Sequence, residues 1–180
     1  MDIDPILFEI LQENLISIVR EMRANLTRTA YSPVIYEGRD FSCVIMDAQG
    51  RLLAQAEDNP SHVFPIPWSV HAMLERYSDD MAPGDIFIHN DPYTGGTHLN
   101  DVAVIFPLFH EGRLSLFPVI RAHWSDVGGM TPGSLSGNAN EILQEGMRMP
   151  VIRAFRRGRP NAELLDIVFA NIRMPAERKG

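Results

Sequence analysis

Between positions 89 and 104 the chain reads HNDPYTGGTHLNDVAV. Two histidines, two aspartates and two glycines fill a short polar stretch that runs straight into an apolar one. Further on, HWSD at 123–126 repeats the histidine–x–x–aspartate spacing of HLND at 98–101. Two imidazoles and a carboxylate suit a divalent transition metal such as manganese, iron or zinc, and they leave coordination positions open for water or substrate. The candidate ligands are His98, Asp101 and His123. Asp126 and Asp91 are candidates to orient a ligating imidazole or to act as a general base. The single cysteine excludes an all-cysteine zinc site.

These residues need a scaffold that brings them together. DVAVIFPLF and RLSLFPVIRA read as two strands joined around His110-Glu111-Gly112. A three-residue loop pairs Phe109 with Arg113 and, counting back, Asp101 with Arg121 and Leu99 with His123. Side chains alternate with period two, so positions 101 and 123 share a face at the open end of the hairpin. A slip of one residue would turn His123 to the other face.

The remaining elements fit an α+β fold, with antiparallel hairpins packed against a long N-terminal helix and further helices. Asp4-Pro5 starts the first helix, whose apolar residues recur every three or four positions to about Thr29. DFSCVIM and RLLAQAE flank a DAQG turn as a hairpin. EDNPSHVFPIP reads as a loop, Pro67 opens a second helix, IFIHN is a short strand, and EILQEGM is a candidate short helix. NAELLDIVFANIRMPAERKG reads as an apolar helix and a charged tail. Its large apolar residues exceed one face, which predicts cover on more than one side.

Several loop residues carry two readings. Gly95 and Gly96 allow the backbone to approach a ligand closely, or serve as turn formers. His62 sits in a proline-stiffened loop able to fold over the site, or is a plain loop histidine. In GGMTPGSLSG, Gly128, Gly129 and Ser134 can line a backbone nest for an anion or a substrate carboxylate, or belong to a flexible loop. That loop is not a phosphate-binding P-loop, and Ser134 lacks a nucleophile elbow. His71, His89 and His110 read as structural or solvated, and Cys43, within FSCVIM, as a core residue.

A net charge of −7 over 180 residues argues against nucleic acid or an anionic membrane as the main partner. No apolar run reaches the roughly 18 residues of a membrane span. The acidic start lacks signal-peptide features, and one cysteine fits a reducing, cytoplasmic setting.

Four segments in order, RTAYSPVIYEGRDFSCVIMD, HNDPYTGGTHLNDV, RAHWSDVGGMTPGS and EILQEGMRMP, resemble the hydantoinase B/oxoprolinase family. That family includes B-type subunits of N-methylhydantoinases, the matching region of 5-oxoprolinase, and a large subunit of acetone and acetophenone carboxylases. The resemblance implies that residues 1–180 form the N-terminal region of a longer protein. It also implies an A-type partner subunit that binds ATP and a cyclic-amide substrate whose lactam oxygen becomes phosphorylated. A manganese site would fall on His98, Asp101 and His123, with Asp126 holding the attacking water and the Gly128–Ser134 loop binding phosphate or substrate. Hydrolysis of cyclic amides is the preferred reading. A ketone carboxylase subunit and a non-catalytic assembly module are the alternatives.

Overall fold

In the computed structural model, which describes residues 4–175, the first helix (α1, Pro5–Thr29) starts where Asp4 accepts a hydrogen bond from the N–H of Ile6. Proline at its first position costs nothing, because that N–H has no partner within a helix. Ala30 leaves in an extended conformation, and Pro33 opens a single helical turn (α2, Pro33–Tyr36). The first hairpin follows as β1 (Phe41–Asp47) and β2 (Leu52–Gln55), with Asp47 accepting from the N–H groups of Gln49 and Arg51 in the turn.

The segment expected to be a loop before the second helix contains a helical turn (α3, Pro60–Val63). Asn59 caps it by accepting from the N–H of Ser61. The second helix (α4) runs Ile66–Tyr77. The strands β3 (Ile86–His89), β4 (Asp101–Ile105), β5 (Leu108–His110) and β6 (Arg113–His123) follow. Two short strands that the sequence pattern does not announce, β7 (Ile152–Arg156) and β8 (Arg159–Pro160), precede the last helix (α5, Ala162–Ala170). The candidate helix in EILQEGM is one 3-10 turn, Ile142–Gln144. The expected charged tail after Pro175 lies outside the described residues.

All pairings in the sheet are antiparallel. Its order is β2-β1-β6-β4-β3-β7-β8, with β5 folded back on β6. Period-two alternation divides the side chains between two faces. Val44, Met46, Phe87, Ile105, Phe117 and Val119 pack with Val70 and Met73 of α4. Across the sheet, Phe41, Cys43 and Ile45 pack with Val19 of α1, while Val102 and Ile88 pack with Val168 of α5. Each such buried side chain contributes roughly 1.5–3 kcal/mol relative to exposure. The last helix departs from the expected cover on several sides: Val168 is buried and Ile167 stays exposed.

The hairpin register differs from expectation by two residues. His110 pairs with Arg113, which leaves a two-residue turn, Glu111-Gly112, with φ 49° and 76°. Positive φ at both positions is what a type I′ turn requires. An irregularity between Leu108 and Phe109 adds a second step, so Asp101 stands opposite His123 instead of Arg121. Two single-residue shifts preserve parity, and both residues therefore remain on one face.

Candidate metal centre

At the open end of the sheet, three neighbouring strands place one row of side chains on the α4 face. Asp101 on β4 opposes His123 on β6. Asp40 continues the β1 register past the Phe41–Ala122 pair, and the N–H of His123 donates to the Asp40 carbonyl at 3.0 Å. His98 comes from the turn entering β4, where its carbonyl accepts from the N–H of Asp101.

His98, Asp101 and His123 each present a donor atom, and these atoms lie within 4.8 Å of one another. The Nδ1 of His123 donates to Oδ1 of Asp101 at 2.7 Å, and the Thr97 hydroxyl donates to Oδ2 at 2.6 Å. The Nε2 of His62 sits 3.6 Å from both Asp40 Oδ1 and Asp101 Oδ2. That spacing is too long for a hydrogen bond. The Nδ1 of His62 is buried and has no hydrogen-bond partner among the described residues. These residues line a cavity of about 430 Å³ together with Val34, Asn59, Ser61 and Leu135.

Burial works against the charged form of Asp101, but hydrogen bonds from His123 and Thr97 outweigh it and hold its pKa at about 2. The Asp101 hydrogen bond raises the pKa of His123 against the effect of burial. Burial lowers that of His62, with the charges of Asp101 and Asp40 opposing. The cluster thus offers an ionised carboxylate and a neutral buried imidazole. Two imidazoles and a carboxylate within reach of one point fit a divalent cation.

The sequence pattern does not point to Asp40. It precedes β1 in the chain, and only the non-local β1–β6 pairing brings it beside His123. Conversely, several expected residues lie elsewhere. Asp126 does not line the cavity. Its carboxylate accepts from the N–H groups of Gly128, Gly133 and Arg173 and from the Arg173 guanidinium. It therefore fills the nest that Gly128 and its loop were expected to offer an anion. Ser134 is likewise committed: its hydroxyl accepts from the N–H of Val127 and donates to the Gly128 carbonyl. Gly128 and Gly129 line a separate cavity, and a Cβ on Gly129 would lie 2.6 Å from the Gln144 carbonyl oxygen.

Asp91 caps a 3-10 turn by accepting from the N–H of Tyr93, and Arg148 lies 3.7 Å away. Gly95 has φ 110°, and a Cβ there would meet the Ser69 nitrogen at 2.5 Å; on Gly96 it would meet the Asn90 carbonyl oxygen at 2.2 Å. These two glycines are required for close packing of the chain on itself. Only His62 of the expected substrate-binding residues lines the cavity.

Beneath the site lies a second polar row. Arg121 opposes Ser42 on β1 and Ala103 on β4, and His89 on β3 opposes Ala103. The imidazole of His89 bonds Ser69 through Nδ1 and Thr94 through Nε2, both at 2.9 Å.

The fold and this row of site residues define an α+β domain with an antiparallel sheet and a two-histidine, one-carboxylate cluster at its open end. The chain belongs to the hydantoinase B/oxoprolinase family, whose model matches residues 4–180. The B-type subunit of a putative D-/L-hydantoinase from Pseudomonas sp. (strain NS671) is 34% identical over 178 residues, covering 96% of this chain and 30% of the relative. The crystal structure of ATP-dependent caprolactamase from Pseudomonas jessenii is similar with a TM-score of 0.89 at 26% identity, covering 99% of this chain and 31% of that one. A nucleotide-free acetone carboxylase shares the fold with a TM-score of 0.90 at 22% identity, covering 98% and 24%. The chain thus spans less than a third of each of these proteins.

Proposed function

We propose that this chain is the N-terminal, metal-holding part of a B-type subunit of an ATP-dependent cyclic-amide hydrolase. It works with an A-type subunit that binds ATP, and it opens rings of the hydantoin or 5-oxoproline class in the cytoplasm. The convergence of His98, Asp101 and His123 in one cavity carries this reading. The family match and the hydantoinase and caprolactamase likenesses supply the reaction class.

His98, Asp101 and His123 hold the cation, manganese first and zinc or iron next. When bound, it supplies Lewis acidity toward an attacking or leaving oxygen. The protein's own residues do the rest. Thr97 fixes one oxygen of Asp101 and so sets the direction of the carboxylate. His62 closes the inner wall as a neutral imidazole facing Asp40 and Asp101. Asp40, half-exposed in the same cavity, takes the proton from the nucleophile, the role first expected of Asp126 or Asp91. The likeness to acetone carboxylase bears on the fold alone and adds no weight to a carboxylase reading.

The test measures metal content and ATP-dependent ring opening for the whole B-type chain with its A-type partner. Wild type is compared with His98→Ala and His123→Ala. The expected result is stoichiometric metal in wild type and loss of metal affinity by roughly 100-fold or more in both variants, with turnover falling alongside. Unchanged metal and turnover in well-folded variants would overturn the proposal.

A further inference from the structure

Arg121 is fully buried on β6, two residues before His123. Among the described residues no carboxylate lies within ion-pair distance of it. Its Nη donors go to main-chain and hydroxyl oxygens instead, while its buried Nε–H has no partner among the described residues. Nη1 donates to the His62 carbonyl at 3.3 Å, and Nη2 donates to Ser69 Oγ at 2.6 Å and to the Gly95 carbonyl at 2.8 Å. Ser69 donates to the same Gly95 carbonyl at 2.9 Å. One proton arrangement consistent with these distances has Ser69 Oγ accepting from Arg121 and from Nδ1–H of His89, and Nε2 of His89 accepting from the Thr94 hydroxyl.

One guanidinium therefore ties two separate segments to the strand that carries His123. The first is the α3 turn, which bears His62. The second is the Gly95 turn, which leads through Thr97 and His98 into Asp101. Its planar fork reaches acceptors on both segments, a geometry that a lysine ammonium cannot reproduce. Ala103, the small residue opposite it on β4, leaves room for the group beneath the site.

We propose that Arg121 is the positioning residue of the metal centre: it clamps the His62 turn and the Gly95–His98 segment to β6, and so sets the spacing of the donor groups. The clamp rests on the cation-binding reading above for its consequence, but not for its existence.

The sign of one effect separates clamping from electrostatics. A buried positive charge close to a cation site repels the cation, so removing it would tighten binding if charge were all that mattered. Loss of a clamp weakens binding instead. The experiment uses the whole protein with Arg121→Met, Arg121→Lys and the milder Ser69→Ala. Hydrogen exchange is read at 60–63 and 94–98 in metal-free protein, and manganese affinity and the visible spectrum of the cobalt form are read in loaded protein. Faster exchange in both segments, with manganese affinity down by roughly tenfold or more in Arg121→Met and Arg121→Lys, is the expected result. Ser69→Ala should show a smaller change of the same sign, and the cobalt spectrum should shift. If Arg121→Met fails to fold, Arg121→Lys and Ser69→Ala decide. Native exchange in both segments, or manganese binding as tight as wild type, overturns the clamp. If wild type takes up no metal, the cation reading fails while the exchange data still decide whether Arg121 holds the two segments.

Discussion

Asp101 and His123 face each other across β4 and β6, and Nδ1 of His123 lies 2.7 Å from Oδ1 of Asp101. A directly opposed pair is the shortest connection two strands offer, so the geometry is held by the sheet rather than by loops. Thr97 supports the same carboxylate from the preceding turn. Thr97→Val should therefore preserve the fold while weakening metal affinity by roughly 10–100-fold. Asp101→Asn should abolish metal uptake, because the amide lacks the charge and leaves His123 with a poorer acceptor. Metal titration of the purified variants checks both, and unchanged affinity in Thr97→Val would count against the supporting role.

Asp126 is expected to matter for stability and not for metal. It accepts four hydrogen bonds, including one from the Arg173 guanidinium, and it is buried. Arg173 is 40% exposed, so the loss is that of hydrogen bonds to a charged group, about 1.5–3 kcal/mol. Asp126→Asn should lower the unfolding midpoint while leaving metal content at wild-type levels. Calorimetry and elemental analysis on one sample separate the two readouts, and loss of metal from a folded variant would return Asp126 to the site.

The convergence of His98, Asp101 and His123 was legible because strand periodicity is local, and because the two register errors of the simple count cancelled in parity. Asp40 was illegible for the opposite reason: its place depends on β1 pairing with β6, far along the chain. Asp126 was expected at the site because HWSD copies the spacing of HLND. The strand ends at His123, however, and Arg173, 47 residues beyond Asp126, pins that carboxylate away from the cavity. The strands β7 and β8 are too short to carry a clear alternating pattern. The long first helix, by contrast, announced both its cap and its extent.

Cys43 gives a clean probe of folding. It is fully buried on β1, and burial pushes its thiol up to about 12, against a smaller opposing effect of the Arg23 charge. The thiolate is the reactive form, so reaction with a disulfide reagent at neutral pH should require unfolding. The folded protein should show no fast phase, and denaturant should release one equivalent. A rapid reaction in native buffer would show that β1 opens locally.

The polar layer beneath the site predicts an acid limb in stability. Burial lowers the pKa of His89 from 6.5 to about 4, with the nearby Arg121 charge adding to it and Asp91 opposing. The unfolded chain therefore binds more protons at His89 than the folded one between these values. Stability from this group is fully present above pH 6.5 and is lost as pH falls through 4. A shift of this size corresponds to about 3 kcal/mol. His89→Gln keeps a donor and an acceptor near Ser69 and Thr94 but cannot take up a proton. Its unfolding free energy should be lower than wild type at neutral pH and should lose the part of its dependence between pH 6.5 and 4 that His89 contributes. Denaturant titrations of both proteins across that range, in metal-free buffer, give the comparison. Parallel curves for the two would mean that His89 is not the group that titrates and that the layer around Arg121 tolerates a charged imidazole.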